Sequence, residues 1–371
     1  MKIDEFVMER WQSRWEHVVD YNITESGVKP LKPEEILSSE ELVELGRTKL
    51  GYIQTDGTKE LKKTICACYD DATPENILVT SGSAEANFLL MWNLIDPGDE
   101  VIFMLPNFMQ IHGLMKSFGG NMKTFFLKED RDWNPDLDEL KSLVTKDTKL
   151  IVVTNPNNPT GGQLSEESRA AILELSRWAD AWLIADEVYQ GAEYDGIITP
   201  SFWGTYEKAI VTNGLSKAYG LPGLRVGWMV APEKIAKSIW SYKDYTTITI
   251  SALSDRIARI ALSPKKRNFI FDRTRKIIRE NFAVLKSWMD KQEGLFQCTP
   301  PRAGAIAFPR YNLDINATEL AHKVREEKSV LIQPGDQFEV DFHIRFGLGE
   351  DSEFFITALT LVEEVLAELR S

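Results

Sequence analysis

The sequence predicts an α/β fold: a mostly parallel sheet covered by helices on both faces, joined to a smaller α+β unit. Three observations carry this expectation. Short apolar runs recur at 77–80, 101–104, 124–127, 150–154, 182–185, 209–212 and 226–230. They are near-continuous in apolar character rather than alternating, as strands buried on both faces are. Helical patterns lie between them, and alternating strand and helix builds a layered α/β architecture. Beyond residue 230 the pattern changes to long amphipathic helices and then to a short mixed segment.

The elements follow in order. The run 77–80 (ILVT) leads through Ser81, Gly82 and Ser83 into a helix over 85–94. A helix is expected at 137–143. Another is expected at 165–179, with Ser165 as N-cap and Glu166 and Glu167 in the first turn, where carboxylates favour the positive helix end. Helices at 233–242, 255–262 and 265–289 come next. The remainder reads as strand 305–308, helix 317–327, strand 330–333, strand 343–347 and helix 352–369. The expected division is a large domain over 45–285 and a small one built from 1–44 and 286–371. No repeat or low-complexity linker interrupts it.

Composition narrows the function classes. The chain has 371 residues, 43% hydrophobic and 27% charged, the profile of a globular protein. Lys and Arg total 43 against 56 Asp and Glu, a net charge of −13. That balance disfavours a nucleic-acid binder, which needs a basic face. The first residues carry charges throughout and no apolar core, so no signal peptide is expected. No run approaches the ~18 apolar residues of a membrane span. Cys66, Cys68 and Cys298 form neither a zinc ribbon nor a disulfide framework, which points to reduced thiols and a cytoplasmic setting. The four histidines are scattered and no metal site is expected.

The chemistry concentrates at the carboxyl ends of the buried runs, where ligands collect in open α/β sheets. Lys217 sits in the Gly-rich turn NGLSKAYG after 209–212. Taken alone it is either a surface lysine or a partly desolvated amine with a lowered pKa that forms a Schiff base. Asp186 and Tyr189 follow 182–185. The loop NPNNPTG follows 150–154 and presents Asn158 from a rigid turn. Gly82, Ser83 and Ala84 enter a helix whose free N–H groups and dipole suit a phosphate. The sequence has no G-x-x-x-x-G-K-[ST], so this is no nucleotide P-loop.

The segments NPNNPTG, ADEVY and SKAYGLPGLRVGW, in that order, resemble the class I/II aminotransferases, pyridoxal 5′-phosphate (PLP) enzymes of fold type I. The likeness spans most of the chain, from Gly51 to Arg345. SKAYGLPGLRVGW followed by DYTT is also similar to a subgroup of the capreomycidine synthase type. The resemblance implies roles. Lys217 would carry PLP and shuttle a proton, and Asp186 would pair with the pyridine nitrogen. Tyr189 and Asn158 would bond the phenolic oxygen. Phe108 would stack on the ring. Gly82, Ser83, Ala84, Ser216 and Arg225 would hold the phosphate. Tyr52 would reach the phosphate of a neighbouring subunit, implying a homodimer. Arg345 would grip the substrate α-carboxylate, and the stretch containing Gly27 and Val28 would line the substrate pocket. Each also has a structural reading: an N-cap for Asp186, core packing for Tyr189 and Phe108, an ion pair for Arg225 or Arg345, a turn tyrosine for Tyr52.

Two positions depart from the family pattern. Gly214 stands where many relatives have a hydroxyl, and Phe108 where many have Trp or Tyr. The resemblance implies transfer of an amino group from an L-amino acid to a 2-oxo acid. Elimination, decarboxylation or a cyclisation of a cationic amino acid are alternatives, as is a non-catalytic PLP protein. Asp244, in the loop 243–251, is expected to favour neutral or cationic side chains in a neighbouring subunit's pocket.

Overall fold

The computed structural model describes residues 3–370. Its central sheet runs in the order Ile77–Thr80, Gly227–Val230, Ala209–Gly214, Trp182–Asp186, Thr148–Thr154, Glu100–Leu105, Asn121–Lys128, Asn134–Pro135. Gly227–Val230 is antiparallel to both neighbours, and Asn134–Pro135 is antiparallel at the far edge. The strands between them are parallel. The three inner strands Thr148–Thr154, Trp182–Asp186 and Ala209–Gly214 are buried almost throughout. Helices cover both faces, so these strands carry Val, Ile and Leu in succession. The sequence expectation of a mostly parallel, helix-covered sheet holds.

Local signals explain most boundaries. Ser165 caps the helix Glu166–Ala179, its Oγ accepting from Ser168 N at 3.1 Å. The helix ends where Asp180 turns left-handed. The expected helices at 85–94 and 265–289 are Ser83–Leu94 and Pro264–Asp290. Helices Val7–Trp15, Ser39–Gly46, Lys59–Cys66 and Gln110–Phe118 are additions to the sequence reading. Among the described residues no helix is long and apolar enough to cross a membrane.

A second core is made from both ends of the chain. Trp11 and Ile23 pack there with Leu320, Val330, Ile344, Phe355 and Val362. Tyr21–Asn22 pairs in parallel with Val330–Leu331. Ile344–Gly347 lies between Ile306–Ala307 and Gln333–Pro334, antiparallel to both. The strand expected at 330–333 is therefore two strands in two sheets. Ile332 makes the step between them, and its carbonyl accepts from Trp11 Nε1 at 3.0 Å.

The partition expected at residues 44 and 285 differs from the packing. The helix Pro264–Asp290 crosses residue 285: Ile270, Phe271 and Ile278 join the sheet core, whereas Leu285, Trp288 and Met289 join the second. The first 44 residues also divide, because Met8, Val28, Leu31 and Ile36 pack in the sheet core. The N-terminal segment thus runs between the two cores, along the carboxyl ends of the strands.

Candidate active site

The rim of the sheet and this N-terminal segment enclose a cavity of about 420 Å³. Ser83, Ala84, Phe108, Asn158, Asp186, Tyr189, Ser216, Lys217, Arg225 and Arg345 line it together. These residues come from turns spread over more than 250 positions, roughly the length of a typical large domain. The sheet brings them to one rim.

Asp186 ends its strand and is buried. Oδ1 accepts from Val188 N at 3.2 Å, and Oδ2 from Asn87 Nδ2 at 3.3 Å. Thr212 Oγ1 in turn donates to Asn87 Oδ1 at 3.1 Å, which orients that amide. Burial pushes the Asp186 carboxyl up to about 6, more than its hydrogen bonds and the nearby Lys217 restrain it. A buried carboxyl in this state is poised for a cationic N–H partner. The Tyr189 hydroxyl, in the same cavity, is buried and meets no hydrogen-bonding atom within bonding geometry among the described residues.

The helix Ser83–Leu94 starts at Gly82, φ 79°, with no side chain capping it. A Cβ on Gly82 would sit 2.4 Å from an Arg225 nitrogen, so glycine is needed for the guanidinium to lie over the turn. Arg225 forms no ion pair among the described residues, and Nη1 donates only to Ser216 Oγ at 3.4 Å and Pro222 O at 3.3 Å. Free helix N–H groups beside an unpaired arginine make an anion cradle. Gly214 also has a physical reason: a Cβ there would meet Val226 O at 3.1 Å.

Arg345 is 1% exposed yet faces no carboxylate within ion-pair distance among the described residues. Nη1 donates to Asn158 Oδ1 at 2.9 Å and Nη2 to Thr24 O at 2.7 Å, while Nε has no partner. A buried, uncompensated guanidinium is costly unless an anion completes it.

Lys217 departs from the expectation of a lowered pKa. Its Nζ donates to Glu25 Oε1 at 2.9 Å. Burial acts to lower the lysine, but Glu25 and then Tyr189 outweigh it, and the ammonium is held above its ordinary range. Glu25 is correspondingly held down to about 2, first by Lys217.

One further residue falls elsewhere than expected. Val28 does not line the cavity; it is 1% exposed in the sheet core, because the chain alternates direction after Gly27. Gly27 does approach the site, since a Cβ there would sit 3.6 Å from Lys217 Cα. Tyr52 is 86% exposed, away from the cavity of its own chain, and Asp244 caps the helix Glu233–Lys243 at the surface. Conversely, the sequence reading missed Glu25, Glu9, Gln12 and Glu16, all of which line the cavity. Glu9, Gln12 and Glu16 share one helical face by their spacing, a signal that charge along an exposed helix obscures. Among the described residues no cluster of His, Cys, Asp and Glu could hold a metal ion.

The incomplete groups fit one cofactor. A ring nitrogen would complete Asp186, a phenolic oxygen Tyr189, and a phosphate the Gly82 turn with Arg225. Fold and cavity define a PLP-dependent enzyme of fold type I. The model of the family "Aminotransferase class I and II" matches residues 22–355, and the chain belongs to that family. It is 30% identical to capreomycidine synthase of Streptomyces vinaceus, over 78% of this chain and 74% of that one. It is 27% identical to an aspartate aminotransferase of Thermotoga maritima, over 87% and 85%. A PLP-dependent aminotransferase from Streptococcus suis superposes with a TM-score of 0.93 at 31% identity, covering 100% of this chain and 99% of that one.

Proposed function

We propose that this chain is an aminotransferase that moves the amino group of an L-amino acid to a 2-oxo acid, working as a homodimer. The observation that carries the reading is the uncompensated Arg345 guanidinium facing the same cavity as Lys217 and Asp186. It supplies a carboxylate grip beside the cofactor lysine. When bound, PLP supplies an electron sink for the pair released at the substrate α-carbon. The other tasks belong to the chain. Lys217 would hold the cofactor and would move the substrate α-proton. Asp186 keeps the ring nitrogen protonated. Tyr189 and Asn158 bond the phenolic oxygen, and Phe108 covers one ring face. The N–H groups of Ser83 and Ala84, with Ser216 and Arg225, hold the phosphate.

The cavity charges favour a particular side chain. With Arg225 on phosphate, Asp186 and Lys217 on the cofactor, Glu25 against Lys217 and Arg345 on the α-carboxylate, the acids Glu9 and Glu16 are left over. That surplus supports a donor with a cationic or neutral side chain and opposes a dicarboxylate.

Three exposed apolar side chains support the dimer reading. Leu50, Tyr52 and Tyr245 are 83%, 86% and 81% exposed. Their segments are joined, since Trp240 Nε1 donates to Thr55 Oγ1 at 2.8 Å and Lys243 Nζ to Thr55 O at 2.9 Å. Exposed apolar groups of this kind are what an interface would cover, and Tyr52 would enter the partner's phosphate site from it.

A cyclisation is the second reading, favoured by the same acidic surplus and by the likeness to capreomycidine synthase. One experiment separates them. Purified protein with PLP is incubated with a panel of L-amino acids, with and without 2-oxoglutarate. Glutamate formed from a basic or neutral donor supports transamination. A product formed without acceptor supports the second reading, and an aspartate donor faster than every basic one would sink the charge argument.

A further inference from the structure

The contact between Lys217 Nζ and Glu25 Oε1 is built by backbone rather than by a chance rotamer. Gly347 N donates to Ile23 O at 2.7 Å, and Arg345 Nη2 to Thr24 O at 2.7 Å, on either side of the strand end. Gly27 N donates to the same Glu25 Oε1 at 2.9 Å. The supporting glycines leave no slack. A Cβ on Gly347 would sit 2.2 Å from Glu25 O, one on Gly349 2.0 Å from Gly27 O, and one on Gly27 3.1 Å from Ser216 O. Backbone from three parts of the chain therefore fixes the carboxylate against the lysine.

We propose that Glu25 is the counter-ion that keeps the free Lys217 amine protonated, and so sets the pH at which Lys217 works as a base. The proposal rests on the reading of Lys217 as the cofactor lysine. Glu25 acts through Lys217 and is a positioning residue. An ammonium has no lone pair, so Lys217 must release one proton to water at the open side of the cavity before it can accept the α-proton. Both side chains keep a path for that release, being 28% and 44% exposed.

The other groups around the amine do not replace Glu25. Burial and the Arg345 guanidinium both disfavour the ammonium. Tyr189 favours the charged amine only to the extent that its own phenol ionises, and burial holds that phenol up. Asp186 interacts with Lys217 but burial raises it as well. Glu25 is the carboxylate that stays ionised across the working range. Removing its charge therefore shifts the balance toward the neutral amine.

The test uses cofactor-free protein and amine-selective acylation across pH, read residue by residue by peptide mass spectrometry. Exposed Lys234 serves as internal standard. In the wild type the Lys217 midpoint lies above that of Lys234, an observation that needs no variant. In Glu25→Gln the midpoint falls by at least one pH unit, so Lys217 labels roughly ten-fold faster at pH 8. Glu25→Asp restores most of the wild-type midpoint. With PLP bound, the rising limb of kcat against pH moves to lower pH in Glu25→Gln. An unchanged Lys217 midpoint in Glu25→Gln overturns the proposal. Borohydride fixation of PLP then separates the failures. PLP fixed to Lys217 in both proteins with equal midpoints sinks only the role of Glu25. PLP that is not fixed to Lys217 in the wild type sinks the site reading and this proposal together.

Discussion

Replacing Gly227 by alanine tests the phosphate cradle by geometry alone. The residue has no positive φ, so alanine meets no backbone penalty there. Its Cβ, however, would lie 2.3 Å from both Gly82 C and Ser83 N. Carbon contacts normally need about 3.5 Å, so the strand Gly227–Val230 or the Gly82 turn must move by roughly 1 Å. Overpacking of this kind costs about 1–3 kcal/mol. Displacing one charge-assisted N–H bond to phosphate costs about 1.5–3 kcal/mol more in cofactor binding. The expected result is PLP affinity lowered roughly 10–100-fold, with a lower unfolding temperature. Two neighbouring glycines grade the effect. Gly214→Ala places its Cβ 3.1 Å from Val226 O and 3.3 Å from Gly227 Cα, which asks for only a small shift. Gly223→Ala meets nothing within 4 Å and should be silent. The assay is PLP titration of dialysed protein followed by fluorescence, paired with thermal unfolding. Wild-type affinity in Gly227→Ala, or equal damage from Gly223→Ala, would refute the cradle.

The other predictions concern charge and assembly. Asp186 has a folded pKa of about 6, raised first by burial. Folded protein therefore holds that proton more tightly than unfolded chain, and this carboxyl removes stability as pH rises from about 4 to 6. In cofactor-free protein, Asp186→Asn should be near wild type at pH 4 and gain up to roughly 3 kcal/mol above pH 6, measured as unfolding temperature against pH. Adding PLP should reverse the order, because the variant loses its pyridine partner. Arg345→Ala should raise KM for the amino acid by at least about a hundred-fold, the low end of what two charge-assisted bonds are worth, while PLP titration stays near wild type. Tyr245→Asp should halve the particle mass on size-exclusion chromatography and remove turnover; a monomeric wild type would sink the dimer.

Most of the sheet rim was legible because its signals are local. An apolar run of 150–154 followed by NPNNPTG marks both a buried strand and the turn after it, and the same holds for 182–185 with Asp186 and Tyr189. Ser165 announces its helix within four residues. Glu25 carries no such signal. It meets Lys217 across 192 positions of sequence, through an approach that Gly27, Gly347 and Gly349 permit only in the folded chain. The lowered lysine pKa was wrong for that reason: desolvation is readable from a buried strand end, but the compensating carboxylate is not. Val28 was misplaced because a glycine can approach a site while its neighbour turns into the core. The split of 330–333 into two sheets is likewise non-local: at the step, Trp11, some 320 positions away, reaches the Ile332 carbonyl.

The two ends of the cavity have different physical origins, and this separates chemistry from selectivity. The inner end is made by strand termini and their turns, where Asp186, Lys217 and the Gly82 turn are fixed by a buried sheet. The outer end is made by the N-terminal segment, which supplies Glu9 and Glu16, the Glu25 carboxylate and the Thr24 carbonyl that holds Arg345. That segment packs Met8, Val28, Leu31 and Ile36 into the sheet core, whereas Glu9 and Glu16 line the cavity. On the proposed reading, changing Glu9 or Glu16 is expected to alter the preferred side chain while PLP binding stays near wild type. Thr24 and Glu25 cannot change so freely, because the same stretch of backbone holds both the carboxylate grip and the lysine. The two proposals thus place side-chain preference in residues 9–16 and reaction pH in residues 24–27, on one continuous arm.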